Sequence, residues 1–184
     1  CYLTLHSKIA LSVSVLLILA GGVLILLLKP FKVGDYITED NNGNSGTVKE
    51  IGIFYTKLAT GDNKIVILPN GTLANTSLTN ASQATVRRVD FTVGISYNAD
   101  IEKAKAVIEE LIAADSRILD KPAAPFIALH SLSASSIDIV VRVWAAQENY
   151  WGIYFDMNKA VYETFPKRGL SFPYQTFTVN VNKE

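Results

Sequence analysis

Two histidines, four closely spaced serines and two adjacent glutamates are the side chains in this sequence whose types could support catalysis or metal binding. His6 and His130 are far apart, and neither has Cys, Asp or Glu at the spacing of a metal motif. Ser131, Ser133, Ser135 and Ser136 could be nucleophiles, but no G-x-S-x-G elbow surrounds them. A hairpin between two strands accounts for them better. Glu109 and Glu110 are neighbours on an expected helix, so they point in different directions and cannot act as a carboxylate pair. Gly61-Asp62-Asn63 and Pro69-Asn70-Gly71 lack the lysine and helix start of a phosphate-binding loop and read as turns. Trp144 and Trp151 read as core or interface anchors. Cys1 is the only cysteine, which excludes an internal disulfide or a zinc cluster. No catalytic constellation, metal site or cofactor site emerges.

The elements around these residues point elsewhere. Of the 184 residues, 49% are hydrophobic, and the excess is concentrated near the start. Ile9–Leu28 carries no charged side chain. At about 1.5 Å per residue it would span roughly 30 Å, the thickness of a bilayer core. Its length and the lack of a small-residue cleavage site argue against a signal peptide. The start at Cys1 rather than Met suggests a piece of a longer protein. Lys29 and Lys32 follow the run and place the C-terminal bulk in the cytoplasm by the positive-inside rule, with Lys8 weighing the other way. After Leu28, sixteen Lys/Arg face seventeen Asp/Glu. That near-neutral balance argues against a nucleic-acid partner.

Residues 31–83 read as short strands divided by glycine turns. These are Tyr36–Thr38, then Thr47–Leu58 with a bend or bulge at Gly52, then Lys64–Leu68, and they fit a small, strongly bent barrel. Residues 84–175 alternate. Strands are expected at Val89–Tyr97, Phe126–Leu132 and Ile137–Ala145. A helix is expected over Asp100–Ala114 with Ile101, Ala104, Ile108, Leu111 and Ile112 on one face. A second is expected over Asn149–Phe165 with Trp151, Tyr154, Phe155, Val161 and Phe165 on one buried side, ended by Gly169. A last strand, Phe177–Val181, falls in residues 176–184. The order β-α-β-β-α-β is the split βαβ, ferredoxin-like plan.

The join between the apolar run and the first strand is only Lys29-Pro30-Phe31-Lys32-Val33-Gly34. Pro30 disfavours further helix, Gly34 permits a turn, and Phe31 could insert a ring where membrane and protein meet. Such a join is stiff and transmits force or holds a geometry. Gly21-Gly22 has two readings: a packing face or bend, or a pore-lining face.

"AGGVLILLLKPFKVGDYI", Gly46-Thr47-Val48, the strand end Ile67-Leu68-Pro69-Asn70-Gly71, and Ser171-Phe172-Pro173-Tyr174 occur together and in this order. In this combination the chain, from about Ala20 to Val181, resembles the small-conductance mechanosensitive channel (MscS) family. The resemblance implies a pore helix in residues 1–30, a cytoplasmic all-β Sm-like barrel over 31–83, and a cytoplasmic α+β ferredoxin-like domain over 84–175. It also implies a homoheptamer in the bacterial inner membrane, multi-pass in the full protein. Bilayer tension would open it to ions and small solutes on osmotic downshock.

On this pattern Ala20, Gly21, Gly22 and Leu24 fall in the lower half of the pore helix. Lys29, Pro30, Phe31, Lys32 and Gly34 couple helix to cage, Lys29 and Lys32 at positions that meet acidic residues of a membrane-helix loop. Phe177, Val179 and Val181 build a barrel at the base of the cage. The stretch before Ala20 departs from the family. It has no Gln, and no Gly before Gly21. Either the pore lining is atypical, or Cys1–Leu19 belongs to an earlier membrane helix, so no gate residue is assigned. A membrane-anchored or ligand-gated binding module on the same scaffold is the alternative function, and an enzyme has no supporting residues.

Overall fold

The computed structural model describes residues 20–174, which divide into two compact units between Ala84 and Thr85. Ile9–Leu19 and the strand expected over Phe177–Val181 lie outside the described residues. Residues 20–28 form helix α1. Among the described residues no helix is long and apolar enough to cross a membrane.

The first unit is a five-stranded antiparallel sheet built from β1 (Tyr36–Glu39), β2 (Ser45–Ile51), β3 (Tyr55–Ala59), β4 (Ile65–Pro69) and β5 (Leu78–Asn80). The strand order is β4-β3-β2-β1-β5. Alternation along the strands sends Ile37, Val48, Leu58 and Leu68 inward, where they meet Leu73, Ile25 of α1 and Phe31 of the join. The single strand expected over Thr47–Leu58 is two strands. Gly52 donates to the Tyr55 carbonyl at 2.8 Å and starts the turn between them, while the bulge falls at Val48/Glu50. Pro69-Asn70-Gly71 is not a plain turn. Pro69, with φ −62°, precedes the short helix α2 (Asn70–Ala74), whose Leu73 is buried in the core. Burial of Leu73 outweighs the turn composition. The short strand β5 had no periodicity to reveal it; pairing with β1 creates it.

In the second unit β6 (Val86–Ile95) and β9 (Ile137–Ala146) pair antiparallel along their full length, from Val86 with Ala146 to Ile95 with Ile137. The other edge of β9 is shared by β8 (Phe126–Leu132) and the two-residue β7 (Ile118–Leu119). Helices α3 (Ile101–Ala114) and α4 (Tyr150–Thr164) supply the other half of the core. Asp100 caps α3 by accepting the Lys103 N–H at 3.1 Å. The buried stripe of α4 is Ile153, Met157, Val161 and then Phe165, an i, i+4 row. Trp151 and Phe155, expected inside, form a second i, i+4 row on the solvent side, 60% and 61% exposed and stacked at 5.8 Å. Large aromatics had outweighed the smaller residues that hold the correct phase. Beyond α4 the chain makes a 3-10 turn, Pro166–Arg168, closed by Gly169 at φ +72°.

Candidate functional site at the helix-to-sheet junction

Helix α1 meets the sheet through Gly21 and Gly22. A Cβ on Gly21 would lie 2.6 Å from the Asn70 carbonyl oxygen and 2.8 Å from the Gly71 Cα. One on Gly22 would overlap the carbonyl oxygen of Ile53, in the β2–β3 turn. Only glycine lets the helix approach these two backbones so closely. Of the two readings open for the glycine pair, the packing face is therefore occupied, and the backbone of α2 and of the β2–β3 turn is what it packs on. Ile25, one turn on, completes the buried side of α1 at 4% exposure. Ala20 is exposed, as are Val23, Leu24, Leu26, Leu27 and Leu28.

The floor of this seat is held by Asn70, which is fully buried. Its N–H donates to the Phe54 carbonyl at 2.9 Å, its Nδ2 to the Gly52 carbonyl at 2.8 Å, and its Oδ1 accepts the Thr56 hydroxyl at 2.8 Å. Every polar group of a buried amide must find such partners. Here they tie α2 to the turn on which Gly22 rests.

The join that follows is bonded throughout. Lys29 donates to the Ile25 carbonyl at 2.9 Å while holding φ +47°, so the helix ends in a left-handed residue directly before Pro30. Phe31 is 3% exposed and packed among Ile25, Leu73 and the strand residues of the core. The expected insertion of its ring at a membrane boundary is corrected: the ring is the plug of the β domain. Gly34, at φ +99°, donates to the Val48 carbonyl at 2.8 Å. Asp35 accepts the Lys32 N–H at 3.0 Å and the Asn80 Nδ2 at 2.8 Å, and that same Nδ2 reaches the Pro30 carbonyl at 3.4 Å.

Asn70, Ile53, Asp35 and Asn80 were not singled out from sequence. A polar Asn70 inside an apolar strand end was the one available signal. Phe177, Val179 and Val181 lie outside the described residues. The junction holds no nucleophile, base or ligand cluster. At Gly21 and Gly22 its contacts are backbone to backbone, with the β2–β3 turn and the start of α2.

The serines gather elsewhere. Ser131, Ser133 and Ser136 all donate to the Asp138 carboxylate, at 3.1, 2.5 and 2.8 Å. These bonds, that from Ser133 first, hold Asp138 below the usual carboxylate range, with a smaller contribution from the charge of His130. With the Ser133 N–H bond to the Ser136 carbonyl, these bonds close the β8–β9 hairpin, as expected. Among the described residues no His, Cys, Asp and Glu group could hold a metal ion.

Family comparison agrees with this architecture. Residues 14–83 match the model described as "Mechanosensitive ion channel, beta-domain", and residues 89–172 match "Mechanosensitive ion channel MscS, C-terminal". The chain belongs to the MscS family. A small-conductance mechanosensitive channel of Edwardsiella ictaluri is 39% identical over 162 residues, covering 88% of this chain and 56% of that protein. Another, from Helicobacter pylori, is 34% identical over 131 residues, covering 71% of this chain and 47% of that protein. The chain thus spans about half the length of these relatives. The crystal structure of Helicobacter pylori MscS superimposes with a TM-score of 0.86 at 25% identity, over 100% of this chain and 74% of that one. Arabidopsis thaliana MSL1 shares the fold, with a TM-score of 0.73 at 18% identity, over 95% of this chain and 65% of that one. Both of these bacterial relatives are channels by name.

Proposed function

We propose that the full protein is a tension-gated channel of weak selectivity that passes ions and small solutes and relieves hypo-osmotic shock. It works as a homoheptamer in the bacterial inner membrane, with the β domain of residues 31–83 and the α+β domain of residues 84–175 on the cytoplasmic side. Ala20–Leu28 is the lower half of its pore helix, and Lys29–Gly34 couples that helix to the cage. The strand holding Phe177, Val179 and Val181 closes the cage at its base.

The observation that carries this reading is the glycine seat, together with the named relatives. Tension favours the state of larger membrane area, and only a difference between states can drive the shift. A pore helix seated on the sheet through Gly21 and Gly22 moves with that sheet, so cage and pore change state together. No covalent step is needed.

The test is patch recording of the full-length parent protein in liposomes under graded suction. Stepwise currents above a pressure threshold are expected. Silent patches from correctly inserted oligomers would overturn the reading.

A further inference from the structure

We propose that Asn42 is a site of spontaneous deamidation. The Gly43 nitrogen closes on the Asn42 side chain, and the aspartate or isoaspartate that results loosens the hairpin between β1 and β2.

The chain contains two Asn-Gly pairs, Asn42-Gly43 and Asn70-Gly71. Glycine after asparagine leaves the attacking backbone nitrogen without a Cβ beside it and frees its torsions. By sequence the two pairs are equivalent, and the fold separates them. Asn70 is fully buried, with its Nδ2 on the Gly52 carbonyl and its Oδ1 on the Thr56 hydroxyl, and Gly71 is buried within α2. A side-chain amide held at both ends cannot turn to meet the next nitrogen. Asn42 and Gly43 are instead exposed, in the loop of residues 40–44 between β1 and β2. Among the described residues no hydrogen bond holds the Asn42 side chain or the Gly43 N–H. Gly43 stands at φ +68°, and a Cβ placed on it would meet nothing within 4 Å. Both reacting groups are free to move.

The chemistry needs only water. The Gly43 nitrogen loses its proton and attacks the Asn42 Cγ. A C–N bond forms, the Cγ–Nδ2 bond breaks, and ammonia leaves with that proton. Water then opens the cyclic imide. Attack at the side-chain carbonyl gives aspartate, and attack at the main-chain carbonyl gives isoaspartate. Either product puts a carboxylate where a neutral amide stood.

That charge falls beside a buried anion. Glu39, the last residue of β1, is 1% exposed. Its carboxylate accepts the Asn42 N–H at 3.2 and 3.3 Å and the Asn44 Nδ2 at 3.1 Å, neutral donors in each case. Asp40 follows it in the chain. A further anion at residue 42 repels a carboxylate held only by neutral donors. Isoaspartate also lengthens the main chain by a methylene, in a loop closed by the Glu39 N–H bond to the Asn44 carbonyl at 2.8 Å. Strand β1 lies between β2 and β5 and carries Ile37 into the core, so a loosened loop weakens the middle of the sheet.

The experiment ages the full-length protein in phosphatidylcholine vesicles at neutral pH, beside peptides cut from the same chain. Mass spectrometry follows both Asn-Gly pairs. In the peptides the two asparagines should convert at similar rates. In the folded protein Asn42 should keep its peptide rate to within a few-fold. Asn70 should slow by about 10³-fold or more, because it reacts only from molecules whose core has opened. An isoaspartate-specific methyltransferase with labelled S-adenosylmethionine should mark residue 42 and not residue 70. Asn42→Gln keeps a neutral amide whose ring closure is slower, and should lose the mark. Asn42→Asp, the aspartate product, should melt at a lower temperature than Asn42→Gln. An Asn42 protected in the folded protein, an Asn70 that ages alongside it, amide loss without isoaspartate, or equal midpoints for the two variants would overturn the proposal.

Discussion

Gly22 of α1 and Ile53 of the β2–β3 turn are in direct backbone contact: the Cβ that Gly22 lacks would overlap the Ile53 carbonyl oxygen, and would stand 2.8 Å from the carbonyl carbon. The neighbour is backbone, held in turn by the Gly52–Tyr55 hydrogen bond and by Asn70. Neither side of this contact can rotate out of the way.

Gly22→Ala sets two effects against each other. Alanine in place of glycine within a helix gains about 1 kcal/mol from propensity. Overpacking against fixed atoms costs about 1–3 kcal/mol and occasionally more. Overpacking wins at this site, so the variant should unfold at a lower temperature than the parent, and its pressure threshold should shift as α1 lifts from the turn. Differential scanning fluorimetry and patch recording on the same preparation check both. A variant more stable than the parent would show that the seat is open.

The parts of this fold legible in the sequence were those fixed by local rules. Helix α3 was readable from Asp100 at its cap and the period of Ala104, Ile108 and Ile112. The hairpin from β8 to β9 was readable from alternation around the serines. The errors fall where tertiary contact decides. Pro69-Asn70-Gly71 has a turn's composition, yet Leu73 pulls it into a helix. Phe31 looks like an interfacial ring by its neighbours Lys29 and Lys32, yet the core claims it. The glycine pair announced a close approach but could not name the partner, because Ile53 and Asn70 come from segments more than thirty residues away.

Asn70 should be the most sensitive side chain at the junction. Asn70→Ala leaves the Gly52 carbonyl and the Thr56 hydroxyl without their buried partner. Each unsatisfied buried group costs about 1–3 kcal/mol. The expected loss is therefore several times that of Asn75→Ala, whose Nδ2 bonds only its own helix at Gly71. Chemical denaturation of both variants tests the ratio, and equal effects would remove Asn70 from its role as the floor of the seat.

Lys29 and Pro30 make separable contributions. A non-glycine residue in the left-handed region costs about 1–2 kcal/mol, so Lys29→Gly should raise the thermal midpoint while keeping the helix end in place. Pro30→Ala adds a backbone N–H and lifts the steric bar on a helical conformation at residue 29. That variant should let α1 run on and should change the pressure threshold or the inactivation rate. Unchanged gating in Pro30→Ala would mean that the buried Phe31, not the proline, fixes the join.

Asp138 predicts an acid limb in the stability of the second unit. Its folded-state pKa lies below the ordinary aspartate value because Ser133, then Ser136 and Ser131, donate to the ionised form. A depressed carboxylate stabilises the fold above its unfolded pKa, and that contribution fades as pH falls through the folded value. The window therefore lies at and below the ordinary aspartate range, not near neutrality. Asp138→Asn keeps the shape but replaces a charged acceptor of three hydroxyls with a neutral amide that can accept through one oxygen only. It should cost about 1–2 kcal/mol at pH 7, and the gap to the parent should shrink as the pH is lowered until the two curves meet. Thermal midpoints of parent and variant, measured across that range, decide it. Parallel curves would mean that the serine bonds hold the hairpin equally well with the carboxyl protonated, and that Asp138 contributes shape without charge.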